Sequence, residues 1–373
     1  MPLTIGVNAL YLIPGGVGGT EIYLRSLLAA LAEVDSGNRY VVFTNRETGA
    51  DLCPPRPNFR VIREPVPARV RPARLIWEQT VLPLRAALAG LDVLFNPGFT
   101  APVLAPCPSV TVFHDLQHKR HPEYFRWFDL PFWRLFLWAA AHRSVLILAD
   151  SEATAADFLR YYRVTAERVR VVPLGVDPAF FGIRQERAGR TPEPFLLCAS
   201  TLHPHKNLDR LLRAFARIRT AHPEFRLVVT GVRGFHTRAV EKLVEDLGLQ
   251  GAVQLTGWIP REQLYDYFRR AWAFVYPSRF EGFGLPVLEA LAAGLPTACS
   301  RIEPLIGLTA GAALLFDPDS DDEIAAALTR LIEDGELRRQ LAEAGPRRAA
   351  EFPWRRTAEL TLAALEQAAR SRV

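Results

Sequence analysis

Short apolar, β-branched runs alternate with longer amphipathic stretches along almost the whole chain, and this alternation limits the available folds more than any other feature. Strand-like runs fall at 3–8, 40–44, 60–63, 93–96, 110–114, 145–149 and 169–173. They resume at 195–199, 226–230, 253–256, 273–276, 297–300 and 313–316. Helical periodicity fills the gaps, for example at 21–32, 208–221, 238–247 and 324–332. A strand that is apolar at every position has no solvent face, so these runs predict parallel sheets covered by helices on both sides. The pattern restarts once. Residues 175–194 carry Gly, Pro and charge without periodicity, and a fresh strand opens at Phe195. A chain of 373 residues is thus expected to be α/β, with two doubly wound Rossmann-like parallel-sheet domains facing across a cleft. The expected divisions are an N-terminal domain at 1–178, a linker at 179–194, a C-terminal domain at 195–352 and a final helix at 353–373. Ligands of such folds sit beyond the carboxyl ends of the strands.

Composition narrows the partners. With 49% apolar and 23% charged residues, disorder, collagen-like repeats and a disulfide scaffold are excluded. The net charge of +5 comes from 42 arginines and only three lysines, Lys119, Lys206 and Lys242, set against 40 acids. Arginine is scattered among acids rather than gathered on one segment, so no nucleic-acid partner is expected. Cys53, Cys107, Cys198 and Cys299 show no metal-ligand spacing and read as reduced structural thiols. The first residues lack the basic and apolar regions of a signal peptide. The longest apolar stretch, 135–148, is interrupted by His142 and Arg143 before it could span a bilayer. A cytoplasmic location is the expectation.

Four constellations carry polar chemistry at strand ends. Pro14-Gly15-Gly16-Val17-Gly18-Gly19-Thr20-Glu21 follows the first strand and opens a helix. Glycine lets backbone N–H groups approach an anion, and a helix N-terminus favours one. The spacing fits neither the dinucleotide fingerprint nor a P-loop, so the segment is either a phosphate or sugar contact or a flexible turn. Val112-Phe113-His114-Asp115 ends another strand. There His114 can donate to a sugar hydroxyl or phosphate oxygen, while Asp115 caps the next helix or orients the ring. Thr201-Leu202-His203-Pro204-His205-Lys206-Asn207-Leu208 follows the first strand of the second half, placing an ammonium beside a helix start. The fourth runs from Pro277 through Ser278, Arg279, Phe280, Glu281, Gly282, Phe283, Gly284, Leu285 and Pro286 to Glu289. Its loop amides at 282–285 face an anion, Glu281 can accept from sugar hydroxyls, and Pro286 suits a first helical turn. Gly294 closes that helix.

The last motif resembles the retaining glycosyltransferases of family 4, which have the GT-B fold. The likeness covers nearly the whole chain. Gly18-Gly19 is similar to that family's N-terminal glycine loop, 112–116 with Pro122-Glu123 to its His-Asp segment, and 201–207 to its Lys-Asn segment. Phe352-Pro353-Trp354 resembles the start of its last helix, which crosses back to the N-terminal domain. The resemblance implies transfer of a sugar from a nucleotide diphosphate-sugar to an acceptor hydroxyl with retained anomeric configuration. It implies catalytic roles for His114, Lys206 and Glu281, with Lys206 neutralising the diphosphate and Glu281 contacting the donor sugar. Donor binding falls to Gly18, Gly19, Arg279, Gly282, Phe283, Gly284, Leu285 and Glu289, the last at the ribose.

Two departures from the family pattern stand out. The Arg often found six positions before the lysine is replaced by Ser200, which leaves Arg279 or another Arg as the second cation. The stretch 300–308 lacks the usual Pro-Glu before the late strand. No cofactor and no metal are expected, because Asp317-Pro318-Asp319 reads as a turn and helix cap rather than a metal motif. Segments 73–79 and 124–138, rich in Trp, Phe and Arg, are the expected acceptor side, for a glycan or a lipid-linked acceptor at an anionic membrane surface. The segment 122–125 leans toward mannosyl- or rhamnosyl-type members in polysaccharide or glycolipid synthesis. A nucleotide-sugar 2-epimerase of the same fold and a non-catalytic sugar-nucleotide binder are the alternatives.

Overall fold

The computed structural model describes residues 2–16, 18–125 and 130–371. Contacts within these residues gather into two compact units. One holds 2–175 together with 353–371, and the other Val176–Phe352.

In the first unit, strands β1 (Thr4–Asn8), β2 (Arg39–Thr44), β3 (Phe59–Arg63), β4 (Val93–Asn96), β5 (Ser109–Phe113), β6 (Leu146–Ala149) and β7 (Val169–Val171) form one sheet. Its order is β3-β2-β1-β4-β5-β6-β7, and every pairing is parallel. Residues of β1, β4, β5 and β6 are all buried, whereas β3 and β7 at the edges are half-exposed. Uniformly apolar strands thus occupy the centre because both faces there are covered. The connecting helices are α1 (Gly19–Val34), α2 (Arg71–Leu88), α3 (Gln117–Arg120), α4 (Leu130–Arg143) and α5 (Glu152–Tyr162).

The second unit repeats the plan with β8 (Phe195–Ala199), β9 (Arg226–Thr230), β10 (Val253–Gly257), β11 (Ala273–Tyr276), β12 (Thr297–Ser300) and β13 (Leu314–Phe316). These run parallel in the order β10-β9-β8-β11-β12-β13. Its helices are α6 (Ala179–Arg187), α7 (Leu208–Ile218), α8 (Thr237–Asp246), α9 (Arg261–Arg270), α10 (Leu285–Ala292), α11 (Leu305–Thr309), α12 (Asp321–Glu333) and α13 (Gly335–Ala349). The apolar face of α7, with Leu208, Leu211, Leu212 and Phe215, is buried in the core beside Ile324, Leu328 and Leu331 of α12. In both units the strand order reverses once, between β1 and β4 and between β8 and β11. These are the topological switch points, where open α/β sheets leave a crevice for ligands.

One segment differs from its sequence reading. Residues 179–194 were expected as an aperiodic linker, but they begin with α6, which buries Phe180 and Ile183. Two buried apolar residues three apart seat this short helix even though its second half is polar and charged. Within 53–72, β3 covers the strand-like run at 60–63, and α2 opens at Arg71. The last helix, α14 (Trp354–Arg370), packs in the first unit, where it lies against α1. It buries Trp354, Thr357, Ala358, Thr361, Ala364 and Leu365 along one face, and Thr357 Oγ1 donates to the Pro173 carbonyl at 2.8 Å.

Candidate functional site

The polar groups of the second unit converge on the carboxyl ends of β8 and β11. After β8 a single 3₁₀ turn carries Lys206, and Asn207 follows with a left-handed backbone (φ 57°) that redirects the chain into α7. The Asn207 side chain fixes this corner by donating to the carbonyls of Pro277 at 3.0 Å and Pro318 at 2.8 Å. Lys206 Nζ then reaches Glu281 Oε1 at 2.6 Å and the Tyr276 hydroxyl at 3.0 Å, both side chains of the ion pair being nearly buried. Burial pushes the Tyr276 phenol well above its ordinary pKa, and the Glu281 charge adds to this, so the ring stays neutral. Sequence reasoning found Lys206 and Glu281 but not their mutual contact, and it took Tyr276 for a plain strand residue.

The loop between β11 and α10 is pinned from below. Ser278 Oγ donates to the Phe280 carbonyl at 2.9 Å, and the Arg279 amide donates to the His205 carbonyl at 2.8 Å. Gly284 caps α10 at φ 105°, and a Cβ there would lie 2.4 Å from Leu305 Cδ2, so only glycine fits both the angle and the space. Leu285 opens α10, Pro286 follows it, and Phe283 is buried with its ring 6.0 Å from that of Phe352. The helix ends at Ala292, and Gly294 takes a left-handed conformation just beyond. Gly282 lies in the same loop.

Glu289, one turn into α10, is only 4% exposed. Arg261 from α9 lies 3.0 Å from its Oε1 and 3.2 Å from Asp177 Oδ2, and Tyr265 also donates to Asp177. Burial raises the Glu289 pKa, and the Arg261 charge offsets part of that rise. Nothing in the sequence around Arg261 marked it, because its partners are 84 and 28 positions away. Arg279 is also engaged: its Nε and a terminal nitrogen meet Asp319 Oδ1 at 2.9 and 2.8 Å. The Asp317–Asp319 segment is a turn in which Asp317 Oδ1 accepts from the Asp319 amide at 2.8 Å. Ser320 then caps α12 by accepting from the Glu323 amide at 3.1 Å. At Ser200 the hydroxyl is turned back onto the Thr201 carbonyl at 3.0 Å.

In the first unit, Gly18 and Gly19 begin α1, and Glu21 closes the loop by accepting from the Gly15 amide at 2.7 Å. Val17 lies outside the described residues. His114, immediately after β5, has both ring nitrogens committed. Its Nδ1 meets Asp150 Oδ2 at 2.8 Å and its Nε2 meets the Pro97 carbonyl at 2.9 Å. A carbonyl and a carboxylate are both acceptors, so this seat selects the doubly protonated ring. Burial alone would lower the pKa of His114, but Asp150 and the Pro97 carbonyl outweigh it and raise it. The rings of Tyr23 and Phe99 hold it edge-on at 4.8 and 5.2 Å. The orienting carboxylate is Asp150, 36 positions away, and not Asp115, whose Oδ1 accepts from the Gln117 amide at 2.9 Å.

Of the expected acceptor segments, 73–79 lies on α2 and buries Arg74 and Glu78. Within 124–138, residues 126–129 lie outside the described residues. On α4, Phe132, Leu135 and Trp138 are exposed, and Arg71 stacks over the Trp133 ring at 4.2 Å. Among the described residues no helix is long and apolar enough to cross a membrane. The four cysteines are unbonded, and burial pushes the thiols of Cys198 and Cys299 up to about 12.

Comparison with known proteins agrees with this architecture. The sequence matches the family described as Glycosyltransferase Family 4 over residues 17–180 and the one described as Glycosyl transferases group 1 over residues 181–348. It is 32% identical to the MMP alpha-(1->4)-mannosyltransferase of Mycolicibacterium hassiacum over 397 residues, covering 94% of this chain and 95% of that one. Sucrose-phosphate synthase from Thermosynechococcus elongatus shares the fold with a TM-score of 0.79 at 22% identity, covering 98% of each chain. The Anabaena protein HepE, solved in complex with UDP and glucose, aligns with a TM-score of 0.76 at 19% identity over 98% of this chain and 99% of that one. The chain belongs to glycosyltransferase family 4 and is a glycosyltransferase of the GT-B type.

Proposed function

We propose that the protein is a retaining, metal-independent hexosyltransferase that moves a mannose-like sugar from a nucleotide diphosphate-sugar to an acceptor hydroxyl, in cell-surface polysaccharide or glycolipid synthesis. The observation that carries this reading is the Lys206–Glu281–Tyr276 cluster at the switch point of the second unit. Its ammonium is already ordered, and the partner holding it is a carboxylate that a diphosphate can displace. The mannose-like donor is supported by the similarity to a mannosyltransferase, and its nucleotide by HepE, solved with UDP.

In this reading the donor diphosphate takes Lys206 and the amides of 282–285 at the start of α10. Glu281, released, accepts from hydroxyls of the donor sugar. Glu289 turns from Arg261 to the ribose, and Arg279 leaves Asp319 when a second cation is needed. The bond between the anomeric carbon and the distal phosphate oxygen breaks, and the bond to the acceptor oxygen forms on the same face. The acceptor proton passes to the departing phosphate oxygen, so no protein base is needed. Lys206 lowers the barrier by meeting charge that grows on that phosphate. His114 serves near the reacting centre as a fixed imidazolium, exchanging the Pro97 carbonyl for a donor oxygen, while Gly18 and Gly19 approach phosphate or acceptor. The exposed Phe132, Leu135 and Trp138 of α4 support an acceptor presented at a lipid surface on the cytoplasmic face.

A metal-free thermal-shift screen against nucleotide diphosphate-sugars tests this, followed by product analysis without acceptor. Slow release of free sugar from a stabilising donor is the expected result. An isomeric nucleotide-sugar would establish an epimerase instead, and binding without any turnover a non-catalytic protein.

A further inference from the structure

One charged group at the switch point of the first unit has no hydrogen-bond partner there. Arg74 lies in the first turns of α2 and is 8% exposed. Its Nε has no hydrogen-bond partner, and among the described residues its guanidinium makes neither a hydrogen bond nor an ion pair. Burying a guanidinium whose hydrogen bonds are unmade costs on the order of several kcal/mol, and a neighbouring carboxylate offsets only part of that cost here.

Glu78, one turn further along and 1% exposed, attracts Arg74 electrostatically but makes neither a hydrogen bond nor an ion pair with it. Its Oε2 accepts from Asn8 Nδ2 at 3.1 Å and from Thr100 Oγ1 at 2.9 Å, and its Oε1 accepts from Gln79 Nε2 at 3.3 Å. These are neutral donors, so the carboxylate is satisfied without the guanidinium. Asn8 in turn donates to Asn96 Oδ1 at 3.1 Å. Asn8 and Asn96 are the last residues of β1 and β4, the two strands between which the sheet order reverses. The network therefore sits at the ligand crevice of this unit. Tyr11, an electrostatic neighbour of Arg74, connects it to the glycine loop by donating to the Thr20 carbonyl at 3.4 Å. The Tyr11 ring lies so close to Gly98 that a Cβ there would come within 2.3 Å of it.

We propose that Arg74 reads an oxyanion, a phosphate or a carboxylate, carried by the acceptor. The inference rests on the glycosyltransferase reading for the word acceptor, while the anion site rests on the geometry of the first unit alone. A guanidinium matches a phosphate or carboxylate through two parallel N–H···O bonds, which a lysine cannot supply. A neutral polyol would not match the two parallel donors of the guanidinium.

The test titrates inorganic phosphate and acetate into the full-length chain by calorimetry, with saturating UDP or GDP occupying the diphosphate subsite. The variants are Arg74→Met, Arg74→Lys and the double variant Arg74→Met/Glu78→Gln, which removes both buried charges and guards against misfolding. The wild type should bind one of the two anions saturably. Arg74→Met and the double variant should lose at least tenfold in that affinity, and Arg74→Lys should keep part of it, with nucleotide binding intact throughout. Whichever anion binds more tightly identifies the oxyanion. Anion binding that persists in Arg74→Met, or that is absent from the wild type, overturns the proposal. If no nucleotide or nucleotide-sugar binds, the transferase reading fails, and nucleotide-free titration of Arg74→Met beside Lys206→Ala still decides whether the anion sits at Arg74.

Discussion

The two units share one topology but keep their charges differently at its switch point. In the second unit every charge at the site is held by an opposite one: Lys206 by Glu281, Arg261 by Glu289 and Asp177, and Arg279 by Asp319. In the first, His114 is held by Asp150 and Pro97, while the Arg74 guanidinium is left without a hydrogen bond or ion pair. The contrast teaches what each half is built to do. Paired charges near a surface can be exchanged for a charged ligand at little net cost, because the ligand replaces an interaction rather than creating one. An imidazolium held by two acceptors has a fixed orientation, and a buried guanidinium with no hydrogen bond of its own is completed by an anion.

Five substitutions test this difference, in decreasing order of expected effect. Lys206→Ala should reduce sugar transfer by about 10²–10³-fold, the usual loss when one preorganised charge donor is removed, with the circular-dichroism spectrum unchanged. Glu281→Ala should act on the same step, and near-wild-type turnover in either variant removes that residue from the mechanism.

Arg261→Met should come next. It strands the Glu289 carboxylate, and removing one partner of a buried pair costs about 3–5 kcal/mol, toward the lower end here because the arginine is part-exposed. Denaturant titration should show this loss, and Glu289→Gln added to Arg261→Met should recover part of it. No recovery would mean the pair is not coupled.

His114 gives a pH signature. Its folded pKa is raised above the unfolded value of about 6.5, so its contribution is full below that pH and disappears as pH rises through the folded value. The Tm difference between wild type and His114→Asn should therefore shrink from neutral pH upward. A difference independent of pH would show that the ring is not held as an imidazolium.

Smallest of all, Ser320→Ala removes the cap of α12 and should cost about 1 kcal/mol with transfer retained. A larger effect on transfer would tie the Asp317–Asp319 turn to the Arg279 cation.

How much of this was readable beforehand depends on range along the chain. The order of strands and helices along the chain, Pro286 in the first turn of α10 and the turn before α12 depend on neighbours within a few positions, where periodicity and turn chemistry leave their marks. The motif residues Lys206, Glu281 and Glu289 were legible because each falls between the end of a strand and the second turn of the helix that follows it. The misreading of 179–194 followed from the same limit, since α6 is held by two apolar contacts and carries no strong period of its own.

The sequence by itself therefore determined two parallel α/β units and the places where their chemistry collects, because burial on both faces of a sheet writes directly into residue type. Which residues pair was settled in three dimensions: Lys206 with Glu281 across 75 positions, His114 with Asp150 across 36, and Arg74 without a hydrogen bond or ion pair. Such pairings arise when strands distant along the chain become neighbours at a switch point, and they put no periodic constraint on either partner's surroundings.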